Sequence, residues 1–204
     1  KDPALKYVTM TVQKGDFIVV TGPNGAGKTT LLMSMAGAIP HYYGGTMQGM
    51  VYTDGKAVTQ HTIADLASSI GVILADYKAQ IVTLTVGEEM AFTLENHGFP
   101  PEEIRRRSEE ALAKVHLTGL EDRKVATLSG GQCQRLVAAA VLAEEPQVLV
   151  FDEPTSALDP EGIREFYRIL REQRAGGTTI ILTSHILSET RERVDRLALM
   201  TRGR

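Results

Sequence analysis

Phe17-Ile-Val-Val-Thr-Gly-Pro-Asn-Gly-Ala-Gly-Lys-Thr29 decides the fold. Phe17 to Thr21, rich in β-branched side chains, reads as a buried strand, and a helix is predicted to open near Lys28 and carry Leu31, Leu32, Met35 and Ala36. Between them Gly22, Gly25 and Gly27 let the backbone wrap an anion closely. The helix start directs N–H groups at that anion, and Lys28 adds a mobile positive charge. Strand, glycine loop and helix in this order make Gly22, Pro23, Asn24, Gly25, Ala26, Gly27, Lys28 and Thr29 a phosphate-binding loop. Taken alone, the eight positions also read as a glycine turn.

Further strands are predicted at Val8 to Val12, Ile70 to Leu74, Val148 to Phe151, Thr178 to Thr183 and Leu197 to Met200. Helices are predicted at Val86 to Asn96 and, behind the break at Gly98-Phe-Pro-Pro101, from Pro101 to His116. A helical segment precedes each of the last three strands, and this alternation implies a mostly parallel sheet covered on both faces. One domain is expected over residues 1–204, with a core at about 1–75 and 146–204 and a helical subdomain at about 76–145. A chain of 204 residues can bury roughly 70% of its unfolded surface without cross-links.

Net charge is −3 with both signs mixed along the chain, so no nucleic-acid footprint is evident. Arg105, Arg106 and Arg107 stand among Glu102, Glu103, Glu109 and Glu110 and read as a solvated helix face. Cys133, the one cysteine, has no partner within the chain and suits a reducing compartment. No apolar run approaches the roughly 20 residues of a bilayer span, so any membrane role is expected to come through a partner.

Two more segments carry chemistry. Asp152 ends the apolar run Val148-Leu-Val-Phe151, where a buried carboxylate calls for a nearby cation. Glu153 beside it is a candidate general base, a role worth about 10²- to 10⁴-fold in rate; an acidic helix start before Pro154 is its plainer reading. Ser129, Gly130 and Gly131 precede the apolar helix Leu136 to Ala143 and form a second anion-receptive helix start. A simple N-cap is the other reading of Ser129.

Leu128-Ser-Gly-Gly-Gln132, lying between the phosphate loop and the acidic strand end, gives a chain that resembles the ATP-binding-cassette (ABC) ATPases along its whole length. The resemblance implies an α/β fold: a P-loop NTPase (RecA-like) core with a mostly parallel sheet, an inserted helical subdomain and a small N-terminal antiparallel β region. It implies ATP and Mg²⁺, with the cation at Thr29 and Asp152, Thr30 touching the α-phosphate, Glu153 as the catalytic base, and His185 as the catalytic residue that contacts the γ-phosphate and fixes the attacking water. It also implies a head-to-tail homo- or heterodimer of ABC ATPase domains, in which Ser129, Gly130, Gly131 and Gln132 cover the γ-phosphate held by the other subunit and Asp159 reaches across the same interface. The implied partners are an integral membrane transport subunit and a substrate-capture membrane protein, which would place the chain on the cytoplasmic face of the cell membrane; no nucleic acid is expected.

The chain departs from that pattern after Leu74, where relatives carry a glutamine and this sequence has Ala75 and Asp76. Asp76 is a further metal candidate. Ile39-Pro-His-Tyr-Tyr-Gly-Gly45, Gly49, and Gln80 ahead of Thr85-Val86 resemble the energy-coupling-factor importers of vitamins or cobalt and nickel ions. Both ends look clipped: Ala4-Leu-Lys6 resembles the family's segment before its second strand, Arg202-Gly-Arg204 stops where another strand normally follows, and the adenine-stacking aromatic would lie upstream of Lys1. Competing readings are a soluble ABC ATPase acting on ribosomes or nucleic acid and a nucleotide switch that barely hydrolyses. About 100 residues between Lys28 and Ser129 are too few for the long coiled coil of chromosome-type relatives.

Overall fold

The computed structural model describes residues 2–156, 158–185 and 194–204. Phe17–Thr21 forms β1 with all five side chains buried. Lys28–Met35 is α1 and the short, kinked Ala38–His41 is α2. A hairpin of β2 (Tyr52–Thr53) and β3 (Lys56–Ala57) follows. Then come α3 (Ile63–Ala67), β4 (Ile70–Ile73), α4 (Val86–Asn96), α5 (Pro101–Lys114), α6 (Gly130–Ala143), β5 (Val148–Phe151), α7 (Pro160–Ala175), β6 (Thr179–Ser184) and β7 (Arg196–Leu199). Thr62 and Thr85 start α3 and α4 with reciprocal caps from Asp65 and Glu88, which satisfy otherwise orphaned backbone donors.

Five strands form one sheet in the order β4-β5-β6-β1-β7, every pairing parallel. Parallel pairing demands crossovers that cover both faces, so these strands are apolar throughout instead of alternating with polar residues. Phe17, Val19, Leu149, Phe151, Ile180 and Leu182 face one cluster shared with α4 through α7. Their sequence neighbours Val20, Val150 and Ile181 face the other, which α1 fills with Leu31 and Leu32. Helix α6 presses onto β4 at Gly71, where an added Cβ would lie 2.3 Å from Val141 Cγ1.

The strand expected at Val8 to Val12 is not formed: none of these residues joins a ladder with any described residue. A strand needs a partner for its N–H and C=O groups, and here Arg196 Nη1 donates to Thr11 O at 2.7 Å while Met10 and Val12 pack partly buried. The antiparallel pair of the fold is instead β2 and β3, joined at Asp54-Gly55, whose φ values of 50° and 74° give the two-residue turn that suits strand twist. The helical segment expected ahead of β7 falls outside the described residues, as does Ala157.

The arginine cluster is only partly a solvated face. Arg106 pairs with Glu103 at 2.6 Å and Glu110 at 2.7 Å along α5. Arg107, in contrast, donates to Ala143 O at 3.0 Å and lies 4.4 Å from the Phe99 ring centre, fastening α5 to the end of α6. Hydrogen bonds from Arg106 and Arg107 hold the Glu103 carboxyl down at about 2. Among the described residues no helix is long and apolar enough to cross a membrane.

Candidate functional site

The phosphate loop leaves β1 at Gly22, which no other residue could occupy: its φ is 149° and a Cβ there would sit 2.0 Å from Met200 O. Gly27, at φ 100°, opens α1, and no side chain caps that helix. Its first N–H groups therefore face outward with a partial positive charge suited to an anion. The loop is braced from behind by the end of the chain: Met200 N donates to Thr21 O at 2.7 Å and Gly203 N to Ala26 O at 2.9 Å.

Neighbouring strands β5, β6 and β1 deliver the reactive groups at their C-terminal ends, where parallel α/β sheets bind ligands. Lys28 is buried; its Nζ donates to Gly22 O at 2.9 Å and lies 3.4 Å from Glu153 Oε1. Thr29 Oγ1 donates to Asp152 Oδ2 at 2.8 Å. Asp152, 5% exposed, receives a second hydroxyl on Oδ1 from Thr183 at 2.7 Å. Glu153 sits at φ 52°, faces the Lys28 ammonium as an ion pair with one oxygen and meets His185 Nδ1 with the other. Lys28, Thr29, Asp152, Glu153 and His185 are thus joined in one constellation, although they come from three separate parts of the sequence.

A hydroxyl oxygen 2.8 Å from a buried carboxylate is a hard-oxygen pair of the sort that holds Mg²⁺ together with ligand phosphates. Thr29 and Asp152 fit that ion. The Asp76 carboxylate lies on an exposed turn and accepts the Ala79 N–H at 3.4 Å. Gln80 folds back onto β4, its amide donating to Val72 O at 3.0 Å and accepting Leu74 N–H at 2.7 Å. This side chain therefore pins the turn after β4.

Ser129 is the N-cap of α6: Gln132 N donates to its Oγ at 3.2 Å, and the Gln132 side chain accepts the Ser129 N–H at 2.9 Å. A hydroxyl that accepts one bond keeps its own O–H to donate, so the cap leaves Ser129 able to meet an anion. Gly130 and Gly131 follow in the first turn of α6, and the Gly130 position is exposed. Asp159 caps α7, accepting Gly162 N–H at 2.7 Å. Among the described residues neither Ser129 nor Asp159 hydrogen-bonds to the phosphate loop of its own chain. His41 binds Val58 O at 2.8 Å, while Tyr42 and Tyr43 stay exposed and edge-to-face with ring centres 4.9 Å apart.

Sequence reasoning did not single out Thr183. Its signal lies in the sheet register, which sets Leu182 beside Phe151 and so carries the next residue of β6 level with Asp152.

A family model described as ABC transporter matches residues 5–156. A putative ABC transporter ATP-binding protein of Methanosarcina acetivorans is 42% identical over 202 residues, covering 98% of this chain and 33% of that protein. One from Pyrococcus abyssi is 39% identical over 202 residues and is covered over 72% of its length. The chain spans about a third of the length of the first curated relatives it matches. Among solved structures, cbiO1 from Clostridium perfringens, part of the ABC transporter complex cbiONQ, superimposes with a TM-score of 0.87 at 33% identity, covering 98% of this chain and 79% of that one. A dimeric post-hydrolysis state of the ATP-binding cassette MJ0796, bound to ADP and Pi, gives 0.84 at 26% identity, with 98% and 87% covered.

Proposed function

The chain belongs to the ABC transporter family of ATP-binding proteins, and from that premise we propose that it is the ATP-hydrolysing cassette of an importer. In this reading it dimerises on Mg-ATP and powers uptake of a small substrate, a vitamin or a transition-metal ion, through membrane partners. The observation that carries the reading is the joining of Lys28, Thr29, Asp152, Glu153 and His185 at the ends of β1, β5 and β6.

The chemistry follows from those contacts. The Lys28 ammonium donates to the loop carbonyls of Gly22 and Pro23 and pairs by charge with the Glu153 carboxylate. A triphosphate in the loop offers better acceptors, so Lys28 turns to it and releases Glu153 Oε1. Glu153 then takes the proton of a water aimed at the γ-phosphorus, and His185, bonded to the other Glu153 oxygen, holds that carboxylate in place. Bound Mg²⁺ would neutralise phosphate charge, with Thr29 and Asp152 as the residues to hold it and Asp76 a further candidate for the ion or its water.

Ser129 to Gln132 would supply a second anion clamp, which one chain with one nucleotide cannot use. A head-to-tail dimer places it over the partner's γ-phosphate, with Asp159 at the same interface, and the dimeric state of MJ0796 supports that arrangement. The likeness to cbiO1, part of a cbiONQ complex, supports the importer branch and a position at the cytoplasmic face of the membrane. The intact parent protein, purified from its own membranes in mild detergent and analysed by mass spectrometry, tests this. A polytopic membrane subunit with a small capture protein is expected; ribosomal proteins, nucleic acid or no membrane partner would move the soluble reading to the front.

A further inference from the structure

Both acidic residues after β5 lean on one side chain that the chemistry above does not use. Thr183 has no exposed surface, and its hydroxyl donates to Asp152 Oδ1 at 2.7 Å while accepting the Glu153 backbone N–H at 2.8 Å. Its neighbours on β6 are Leu182 and the buried Ser184, in a strand otherwise led by Ile180 and Ile181. Valine would fill the same volume there, so packing alone does not call for a hydroxyl. We propose that Thr183 is a positioning residue that aims the metal-binding carboxylate of Asp152 and fixes the peptide that carries the base Glu153.

The division of labour follows from the bonds. Asp152 Oδ2 receives Thr29, whose hydroxyl would itself be a metal ligand in the proposed function, so that bond alone would not fix the carboxylate. The Thr183 hydroxyl holds the opposite oxygen and stops the carboxylate from rotating, which leaves Oδ2 as the oxygen that would serve a cation. The same hydroxyl anchors the N–H of Glu153, a residue at φ 52° in the left-handed region that side chains bearing a Cβ disfavour. One bifunctional group thereby keeps the two carboxylates in fixed relation.

This inference rests on the ATPase reading. Equilibrium binding of a fluorescent, non-hydrolysable ATP analogue, first with EDTA and then across a Mg²⁺ titration, tests it in the unmodified protein, Thr183→Val and Thr183→Ser, alongside single-turnover hydrolysis. All three are expected to bind alike in EDTA. In Thr183→Val the Mg²⁺ needed for half-maximal effect should rise about tenfold or more, and hydrolysis should fall at least as far, the loss of one hydrogen bond to a charged group. Thr183→Ser should restore both to within about twofold. Thr183→Val with unchanged Mg²⁺ dependence and turnover would overturn the proposal. Should the valine variant not fold, Ser against Ala decides: a deficient Ala beside an unimpaired Ser supports it, and equal behaviour overturns it. An unmodified protein that shows no Mg²⁺-dependent nucleotide binding would overturn the ATPase reading itself and this inference with it.

Discussion

Lys28 and Glu153 neutralise each other across 3.4 Å, so each is held ready by the other. Removing the ammonium takes away a charge-assisted bond to phosphate and also leaves Glu153 to repel it. Lys28→Ala is therefore expected to weaken ATP binding by about 10- to 100-fold, measurable by calorimetry. Glu153→Gln keeps the shape and loses the base: turnover should fall about 10²- to 10⁴-fold while binding persists. That variant should accumulate as a dimer in Mg-ATP on gel filtration, and a monomer at saturating nucleotide would sink the composite-site reading. Both residues were legible because their motifs are local, a glycine loop and a strand-end acid pair. The positive φ of Glu153 and the role of Thr183 were not, because each depends on which strands lie side by side.

Among the elements, α6 shows how local sequence and packing share one helix. Its start is set by Ser129, which the sequence marks as an N-cap, and by Gln132, whose side chain completes the reciprocal cap in the folded chain. Its seat on β4 is written in Gly71, whose missing side chain lets Val141 approach. Gly71→Ala places a Cβ at 2.3 Å from Val141 Cγ1, with Pro146 and Leu149 close behind, and the strand cannot give way without disturbing its pairing to β5. We expect a loss of about 1–3 kcal/mol in urea unfolding, and an unchanged midpoint would mean that α6 shifts freely. The long helices and buried strands were readable from period and length, as Val86–Asn96 illustrates. Val8 to Val12 misled because β-branched residues mark a strand only where a partner exists, whereas the hairpin at Asp54-Gly55 went unread because its strands are only two residues each.

For the whole molecule, the strand order β4-β5-β6-β1-β7 assembles the site and also leaves a cleft of about 280 Å³ between β4, α3, α4 and α6. Glu144, just past the end of α6, lines this cleft together with Glu89 of α4 and His97 just past its end, and His97 Nδ1 lies 3.8 Å from the Glu144 carboxylate. Burial pushes the Glu144 carboxyl up to about 7 from an ordinary 4.5, a consequence of tertiary packing that no local pattern announces. Between those two values the folded chain keeps a proton that the unfolded chain has released. Stability therefore falls as pH rises from about 4.5 to about 7 and stays lower above that, a cost on the order of 3 kcal/mol. Glu144→Gln removes the titration while keeping the shape and the polar contact. Its melting temperature should exceed that of the unmodified protein by several degrees at about pH 8 and match it near pH 4.5. Equal melting curves at both pH values would mean that the cleft admits enough water to keep Glu144 ionised.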